Sequence, residues 1–136
     1  MSLELIKSRK VALLLSMLLF VNLTSGIGLA RISGIDLDIQ DIKFNHNVET
    51  NQTVNFEIFV KNKGTEATQS LSLTFDSGTG GGGFAAPIII EPGETRVFTV
   101  GTNYRESGKF IVKAIVNTAG DVNSENNYKT ATINVN

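Results

Sequence analysis

Apolar and polar residues alternate along the chain from residue 35 onward, and this alternation constrains the fold more than any other feature. In the first such stretch the apolar positions are Ile35, Leu37 and Ile39. A period of two is typical of a β-strand with one buried face, whereas an amphipathic helix repeats its apolar residues every three or four positions. No helical stripe follows residue 35. The sequence therefore predicts strands without crossover helices.

Seven segments show this alternation or a short apolar run, and clusters of Gly, Asn, Asp and Pro separate them. They are residues 35–40, 54–60, 71–75, 88–90, 97–100, 110–116 and 131–135. Seven strands in about 105 residues match an immunoglobulin-like sandwich, although the chain has no cysteine or tryptophan. The predicted fold class is all-β, a seven-stranded immunoglobulin-like β-sandwich preceded by an N-terminal hydrophobic export or anchor helix. The residues predicted to face the core on central strands are Phe56, Ile58, Val60, Phe110, Val112 and Ala114.

The N-terminal segment has the features of an export signal. A basic start precedes an apolar run from Val11 to Val21. A membrane-spanning helix needs about 20 apolar residues, whereas the apolar part of a secretory signal needs only about 7 to 15. The length therefore favours a signal peptide, and the small residues Gly28 and Ala30 fit a cleavage site before Arg31.

The predicted organisation is a signal peptide or N-terminal membrane anchor over residues 1–30 and a sandwich domain over residues 31–136. The alternative to cleavage is an anchor that keeps residues 11–30 in the membrane with the N-terminus in the cytoplasm. Both possibilities place the domain outside the cytoplasm. The expected location is therefore extracellular or at the cell surface.

Composition argues against several functional classes. The formal net charge is −1 and the basic residues are scattered, so no nucleic-acid partner is expected. Without cysteine there is no thiol nucleophile or Cys zinc site, and His46 is the only histidine. Asp36 and Asp38 are expected on the solvated face of their strand. The sequence predicts that the protein is not an enzyme.

Three short motifs carry a resemblance to a known family. They are "VKNKG" (60–64), "EPGE" (91–94) and "ENN" (125–127). With the strand pattern around them, they resemble the CARDB family, the cell-adhesion-related domain of bacterial and archaeal surface proteins. The resemblance covers residues 35–136 and implies a seven-stranded sandwich that serves as an adhesive or spacer module. Such modules usually occur in arrays, whereas this chain carries one copy.

The expected function is that of an exported, non-enzymatic adhesion or structural interaction module of the cell surface. The expected partners are other cell-surface proteins, a surface layer or like subunits, with membrane contact only through an uncleaved N-terminal segment. The alternative is an N-terminally anchored subunit of a surface assembly, such as an archaeal motility or surface-layer-binding component, or a filament subunit. A carbohydrate-binding domain or small enzyme is disfavoured. Trp and Tyr side chains commonly stack on sugars, and this chain has no tryptophan and two tyrosines, Tyr104 and Tyr128.

The stretch "DVNSENNY" (121–128) raises the question of a calcium site, with Asp121, Asn123 and Glu125 as weak candidate ligands. An EF-hand would need Gly and Glu at its sixth and twelfth positions, where this chain has Asn126 and Thr132. Clusters of Asn and Asp more often form turns that bond their own backbone. The loop is therefore interpreted as the connection between the last two strands. No cofactor is expected, and divalent metal is not expected to be required for folding.

Two further loops have specific predictions. Asn51 begins the triplet "NQT", an acceptor for N-glycosylation in an exported domain. The glycine run from Gly80 to Gly83 lacks the lysine of a phosphate-binding loop and is expected to be a flexible surface loop. In "EPGE", Pro92 and Gly93 predict a tight turn.

Overall fold

The computed structural model describes residues 33–136, which form seven strands and one short 3-10 helix. The strands are β1 (Leu37–Lys43), β2 (Thr53–Asn62), β3 (Leu71–Asp76), β4 (Gly81–Ala86), β5 (Thr95–Asn103), β6 (Gly108–Asn117) and β7 (Tyr128–Val135), and the 3-10 helix η1 is Ser124–Asn126. Within residues 33–136, no helix is long and apolar enough to cross a membrane. The predicted export or anchor segment lies outside the described residues.

The strands make two antiparallel sheets that face each other. One sheet has three strands in the order β1-β2-β5, and the other has four in the order β4-β3-β6-β7. One hydrophobic cluster, built from residues of both sheets, fills the space between them. The prediction of an all-β, seven-stranded sandwich is confirmed for this part of the chain.

The core follows the alternation seen in the sequence. β2 lies in the middle of its sheet and buries Val54, Phe56, Ile58 and Val60. β6 buries Val112 and Ala114 in the same way. Phe110 also turns inward but is only partly buried, since it lies near the start of β6, where its ring packs against Tyr104 at 4.8 Å between centroids. The predicted core face is therefore confirmed, with Phe110 at its margin.

The fourth strand is not where the sequence predicts it. Gly81–Ala86 pairs with β3 along its whole length, although the glycine run was expected to be a flexible loop. A Cβ atom on Gly81 would lie 2.9 Å from the carbonyl oxygen of Phe75, and one on Gly83 would lie 2.7 Å from that of Leu73. The strands approach so closely that only glycine fits these positions. Strand propensity, which disfavours glycine, gives the opposite prediction.

The segment predicted as the fourth strand, residues 88–90, is an extended connection instead. Ile90 is fully buried, as its apolar character suggests, while Ile89 is half exposed. Thr68 holds the backbone of this segment at both ends, because its hydroxyl donates to the Ile88 carbonyl at 2.8 Å and accepts from the Ile90 N–H at 2.7 Å. The apolar pattern therefore predicted burial correctly and strand pairing wrongly.

The turn at "EPGE" is confirmed. Gly93 has a φ of 82°, and the Glu94 N–H donates to the Glu91 carbonyl at 2.9 Å. The Glu94 carboxylate accepts a hydrogen bond from the Glu91 N–H at 2.8 Å and another from Arg96 at 2.9 Å. These two bonds, the one from Glu91 first, lower the pKa of Glu94.

Candidate functional site

A network of polar side chains closes one end of the sandwich, and Asn62 lies at its centre with no exposed surface. Its amide nitrogen donates to the carbonyls of Glu66 at 2.7 Å and Ile90 at 2.9 Å. Its oxygen accepts from the N–H groups of Gly64 at 3.0 Å and Asp36 at 3.4 Å. Every hydrogen-bonding capacity of the amide is thereby used, which accounts for the asparagine in "VKNKG".

The last loop is tied to the start of β1 by Asp121. One carboxylate oxygen accepts from the Leu37 N–H and from the Asn127 amide, each at 3.1 Å. The other accepts from the Asn123 N–H at 2.9 Å, which is the Asx-turn pattern. The Val122 N–H donates to the Ile35 carbonyl at 2.9 Å. Residues 121–127 thus form a fixed connection between β6 and β7.

The candidate calcium ligands are only partly brought together. Asp121 contacts Asn123 through the backbone of Asn123, whereas Glu125 lies exposed in η1. Within residues 33–136, no three His, Cys, Asp or Glu side chains cluster closely enough to hold a metal. The side chain that donates to the Asp121 carboxylate is the amide of Asn127, at 3.1 Å.

Asp36 is buried, which the sequence did not predict. Its residue surface is 3% exposed, and its Oδ1 accepts a hydrogen bond from the Asn126 amide at 2.8 Å. The expectation of a solvated carboxylate was wrong because the last loop covers this end of β1. Asp38, two residues on, does reach the surface and pairs with Lys63. The hydrogen bond from the Lys63 ammonium to the Asp38 carboxylate is the main reason why the pKa of Lys63 is raised. The charges of Asp38 and Asp36 make smaller contributions.

Two amide oxygens in this network have no hydrogen-bond partner. They are the Oδ1 atoms of Asn126 and Asn127, and both are buried. Asn127 as a whole is 4% exposed. Each of these amides turns its nitrogen toward a carboxylate, Asn126 toward Asp36 and Asn127 toward Asp121. An unpaired buried acceptor costs about 1 to 3 kcal/mol, so the arrangement needs an explanation.

The outer face of the four-stranded sheet exposes large apolar side chains. Ile111 is 64% exposed and Tyr128 is 56% exposed. Ile115 pairs with Tyr128 across β6 and β7, and the Lys113 ammonium lies 5.3 Å from the centre of the Tyr128 ring. We call this set, Ile111, Lys113, Ile115 and Tyr128, the outer apolar patch. Exposed apolar patches on soluble domains often mark contact surfaces.

The two remaining positions singled out from the sequence lie in exposed loops. Asn51 is exposed and has a φ of 64°, in the turn that precedes β2. A loop position suits a glycosylation acceptor, and its modification stays a prediction. His46 is exposed, and its ring lies 4.7 Å from that of Phe44.

Comparison with known proteins identifies the fold. No family model and no curated protein sequence matches the chain. Among solved structures, the chain is similar to the CARDB domain of a Pyrococcus furiosus protein, crystallised in complex with di-metal ions. The TM-score is 0.69 at 23% identity, covering 82% of this chain and 97% of that one. A solution NMR structure of that domain gives a TM-score of 0.65 at 24% identity, covering 76% and 97%.

A further similar structure is a domain of a putative cell surface protein from Methanosarcina acetivorans. Its TM-score is 0.55 at 15% identity, covering 75% of this chain and 92% of that one. The class that these similarities define is the immunoglobulin-like β-sandwich. Within it, residues 33–136 have a fold similar to that of the CARDB domain, which the resemblance of the sequence motifs implied.

Proposed function

We propose that the protein is an exported, non-enzymatic module that makes protein contacts at the cell surface. The observation that carries the proposal is the fold, which this chain shares with a CARDB domain and with a domain of a putative cell surface protein. The N-terminal sequence supports export, since a basic start and an eleven-residue apolar run precede the domain.

The outer apolar patch is the surface that we propose for the contact. Ile111 and Tyr128 expose more than half of their surface on the outside of the four-stranded sheet. The aromatic ring offers contact area at a low cost in conformational entropy, and Lys113 beside it favours a partner surface with acidic groups. The proposed occupant is therefore another exported protein with an apolar, partly acidic face.

The experiment measures retention of the protein in the cell envelope. Cells that make the full chain are compared with cells that make the Ile111→Thr/Tyr128→Thr double variant, and the envelope is washed with buffer of moderate salt. The double variant should lose most of its retained fraction while its melting temperature stays near that of the natural protein, since both side chains are exposed.

The matched control is Val97→Thr, which changes an exposed residue on the outer face of the other sheet. This variant should be retained like the natural protein. Equal retention of the natural protein and the double variant would refute the patch as the contact surface. Recovery of the natural protein in the cytoplasmic fraction would refute the proposed function itself.

A further inference from the structure

Strand β4 forms one edge of the four-stranded sheet, and its outer side pairs with no strand among residues 33–136. Five of its six residues are exposed. In an antiparallel sheet, about half of the N–H and C=O groups of an edge strand point away from its neighbour and are free to pair with another strand. The edge of β4 is therefore a surface that can accept one further strand.

The other three edge strands carry features that oppose such pairing, whereas β4 does not. Charged side chains occur in β1, β5 and β7, and β1 also has an irregular register between Ile39 and Asp41. Charges and bulges are the usual protection of sheet edges. The sequence of β4 is GGGFAA, and no charged residue lies between Asp76 and Glu91. An uncharged strand can thus approach β4 without charge repulsion.

Gly82 is a glycine that contacts within the domain do not explain. Among residues 33–136, nothing lies within 4 Å of a Cβ atom placed on Gly82, and its φ is not in the left-handed region. Gly81 and Gly83 differ, since a Cβ atom on either would meet the backbone of β3. A glycine inside a strand weakens it and often marks a place where another backbone or a ligand approaches closely. Gly82 therefore indicates a contact that the single domain does not make.

A small apolar groove opens at Gly82. Its volume is about 220 Å³, and it is lined by Leu73, Phe75, Gly82, Gly83, Phe84 and Val100. Gly82 pairs with Phe75 of β3, and the next residue but one, Phe84, pairs with Leu73. Because directly opposite residues of a strand pair share a face of the sheet, Gly82 and Phe84 both lie on the core-facing side of β4.

Phe84 projects beside this groove. Its ring lies 5.8 Å from that of Phe98, and 42% of its surface is exposed. One face of β4 thus carries a projecting aromatic ring and, two residues away, a gap that an apolar side chain can fill.

We propose that β4 pairs with β4 of a second copy of this chain, antiparallel and centred on Gly83, so that two four-stranded sheets join into one. This register places Phe84 of each chain opposite Gly82 of the other. Opposite residues of an antiparallel pair have Cβ positions about 4.5 to 5.5 Å apart. Each Phe84 ring then fills the groove of the other copy, and the two-fold symmetry makes both contacts at once.

A second copy is the occupant because β4 is complementary to itself. The ring and the gap have the spacing that the symmetric register needs, and both strands are uncharged. On the other face, Gly81, Gly83 and Ala85 present nothing larger than a methyl group, so the two strands meet without a clash. The outer apolar patch lies on β6 and β7, away from this edge, and stays free for a different partner.

The test measures self-association of the purified full chain, kept soluble with a mild detergent. One strand pair with two phenylalanine rings is a small interface and hence a weak one, so dimers are expected at concentrations of about 100 µM. Sedimentation should show a dimer fraction that rises with concentration. In NMR spectra the amide signals of residues 81–86 should shift over the same range, while those of the edge strand β1 stay unchanged.

Variants assign the contact. Gly82→Val fills the groove and should weaken dimer formation at least tenfold, with a melting temperature near that of the natural protein because the position faces open space. Phe84→Ser removes the ring and should weaken dimer formation similarly. The matched control is Thr99→Val, which introduces a valine at an exposed position of another edge strand, β5, and should associate like the natural chain.

A chain that stays monomeric at millimolar concentration would overturn the proposal. A dimer that Gly82→Val and Phe84→Ser both leave intact, or amide shifts confined to residues outside β4, would do the same. If one of the two variants does not fold, the other still tests the pairing, because they change opposite halves of one contact.

Discussion

Gly64 lies so close to Gly34 that a Cβ atom on Gly64 would come within 2.1 Å of the Gly34 carbonyl oxygen. The same Cβ would lie 2.7 Å from the Asp36 N–H nitrogen. The backbone of the "VKNKG" turn thus packs directly on the start of β1. This contact, rather than a left-handed backbone angle, is the reason for glycine at this position.

Gly64→Ala should therefore destabilise the domain by about 3 kcal/mol, since backbone atoms on both sides must move to admit a methyl group. The measurement is urea unfolding followed by circular dichroism. Gly80→Ala is the control, because nothing lies within 4 Å of a Cβ on Gly80. Equal unfolding midpoints for the two variants would show that the turn can yield, against the tight packing described here.

Asn62→Ala should destabilise the domain by about 3 kcal/mol or more. The substitution leaves three backbone groups without the partner described here, the Glu66 carbonyl and the N–H groups of Gly64 and Asp36, while the Ile90 carbonyl keeps the Thr68 N–H. Each unpaired buried group costs about 1 to 3 kcal/mol. Asn55→Ala, which changes an exposed residue of the same strand, should have little effect. If water satisfies these backbone groups without a loss of stability, the two variants will unfold at similar urea concentrations. That result would contradict the stabilising role described here for Asn62.

The two phenylalanines of the predicted core face should differ in their effect on stability. Phe56 is fully buried, and Phe56→Ala should cost about 3 to 5 kcal/mol. Phe110 is only partly buried, so Phe110→Ala should cost clearly less. The two free energies of unfolding, measured under the same conditions, check the order. A larger loss for Phe110→Ala would contradict the described packing.

Several parts of the fold follow from the sequence because they depend on local pattern. Alternation predicted the core faces of β2 and β6, and Pro92 and Gly93 predicted their turn. The position of β4 could not be predicted, since it depends on how closely β4 approaches β3. That approach selects glycine at positions 81 and 83 against the usual strand preference. The segment 88–90 has the composition of a strand. Its backbone forms hydrogen bonds with the Thr68 side chain instead of pairing with a neighbouring strand.

The polar end of the sandwich was predictable only in part. The motifs "VKNKG" and "ENN" indicated the residues that matter, Asn62, Gly64 and the Asn126–Asn127 pair. Their partners lie far away in the sequence, as with Asn126 and Asp36, which are 90 residues apart. Local pattern placed Asp36 on a solvated face because it could not show that a distant loop covers it.

The buried Tyr104 predicts a loss of stability at alkaline pH. Its hydroxyl donates to the Ser77 carbonyl at 3.0 Å, and burial, with a smaller effect of the Asp76 charge, raises the pKa of Tyr104. Because the folded pKa lies above the unfolded value of about 10, the stabilising contribution is complete below about pH 10 and is lost as the pH rises through the folded pKa.

Tyr104→Phe should consequently be less stable than the natural protein at pH 7, by about 1 kcal/mol for the lost hydrogen bond. Between pH 9 and pH 11 its stability should fall less steeply. Urea unfolding across this range gives both values, and the raised pKa of Lys63 affects both proteins alike. Parallel curves for the two proteins would mean that Tyr104 ionises without unfolding the domain.

Labelling of intact cells tests the central claim most directly. A membrane-impermeant amine reagent is applied to cells that make the full chain, before and after lysis, with a cytoplasmic protein as the control. Lys43 is exposed on the folded domain, lies outside the outer apolar patch and is available to the reagent. An exported surface module should be labelled on intact cells to nearly the same extent as after lysis, while the cytoplasmic protein is labelled only after lysis. Labelling of this chain only after lysis would contradict its location at the cell surface and with it the proposed function.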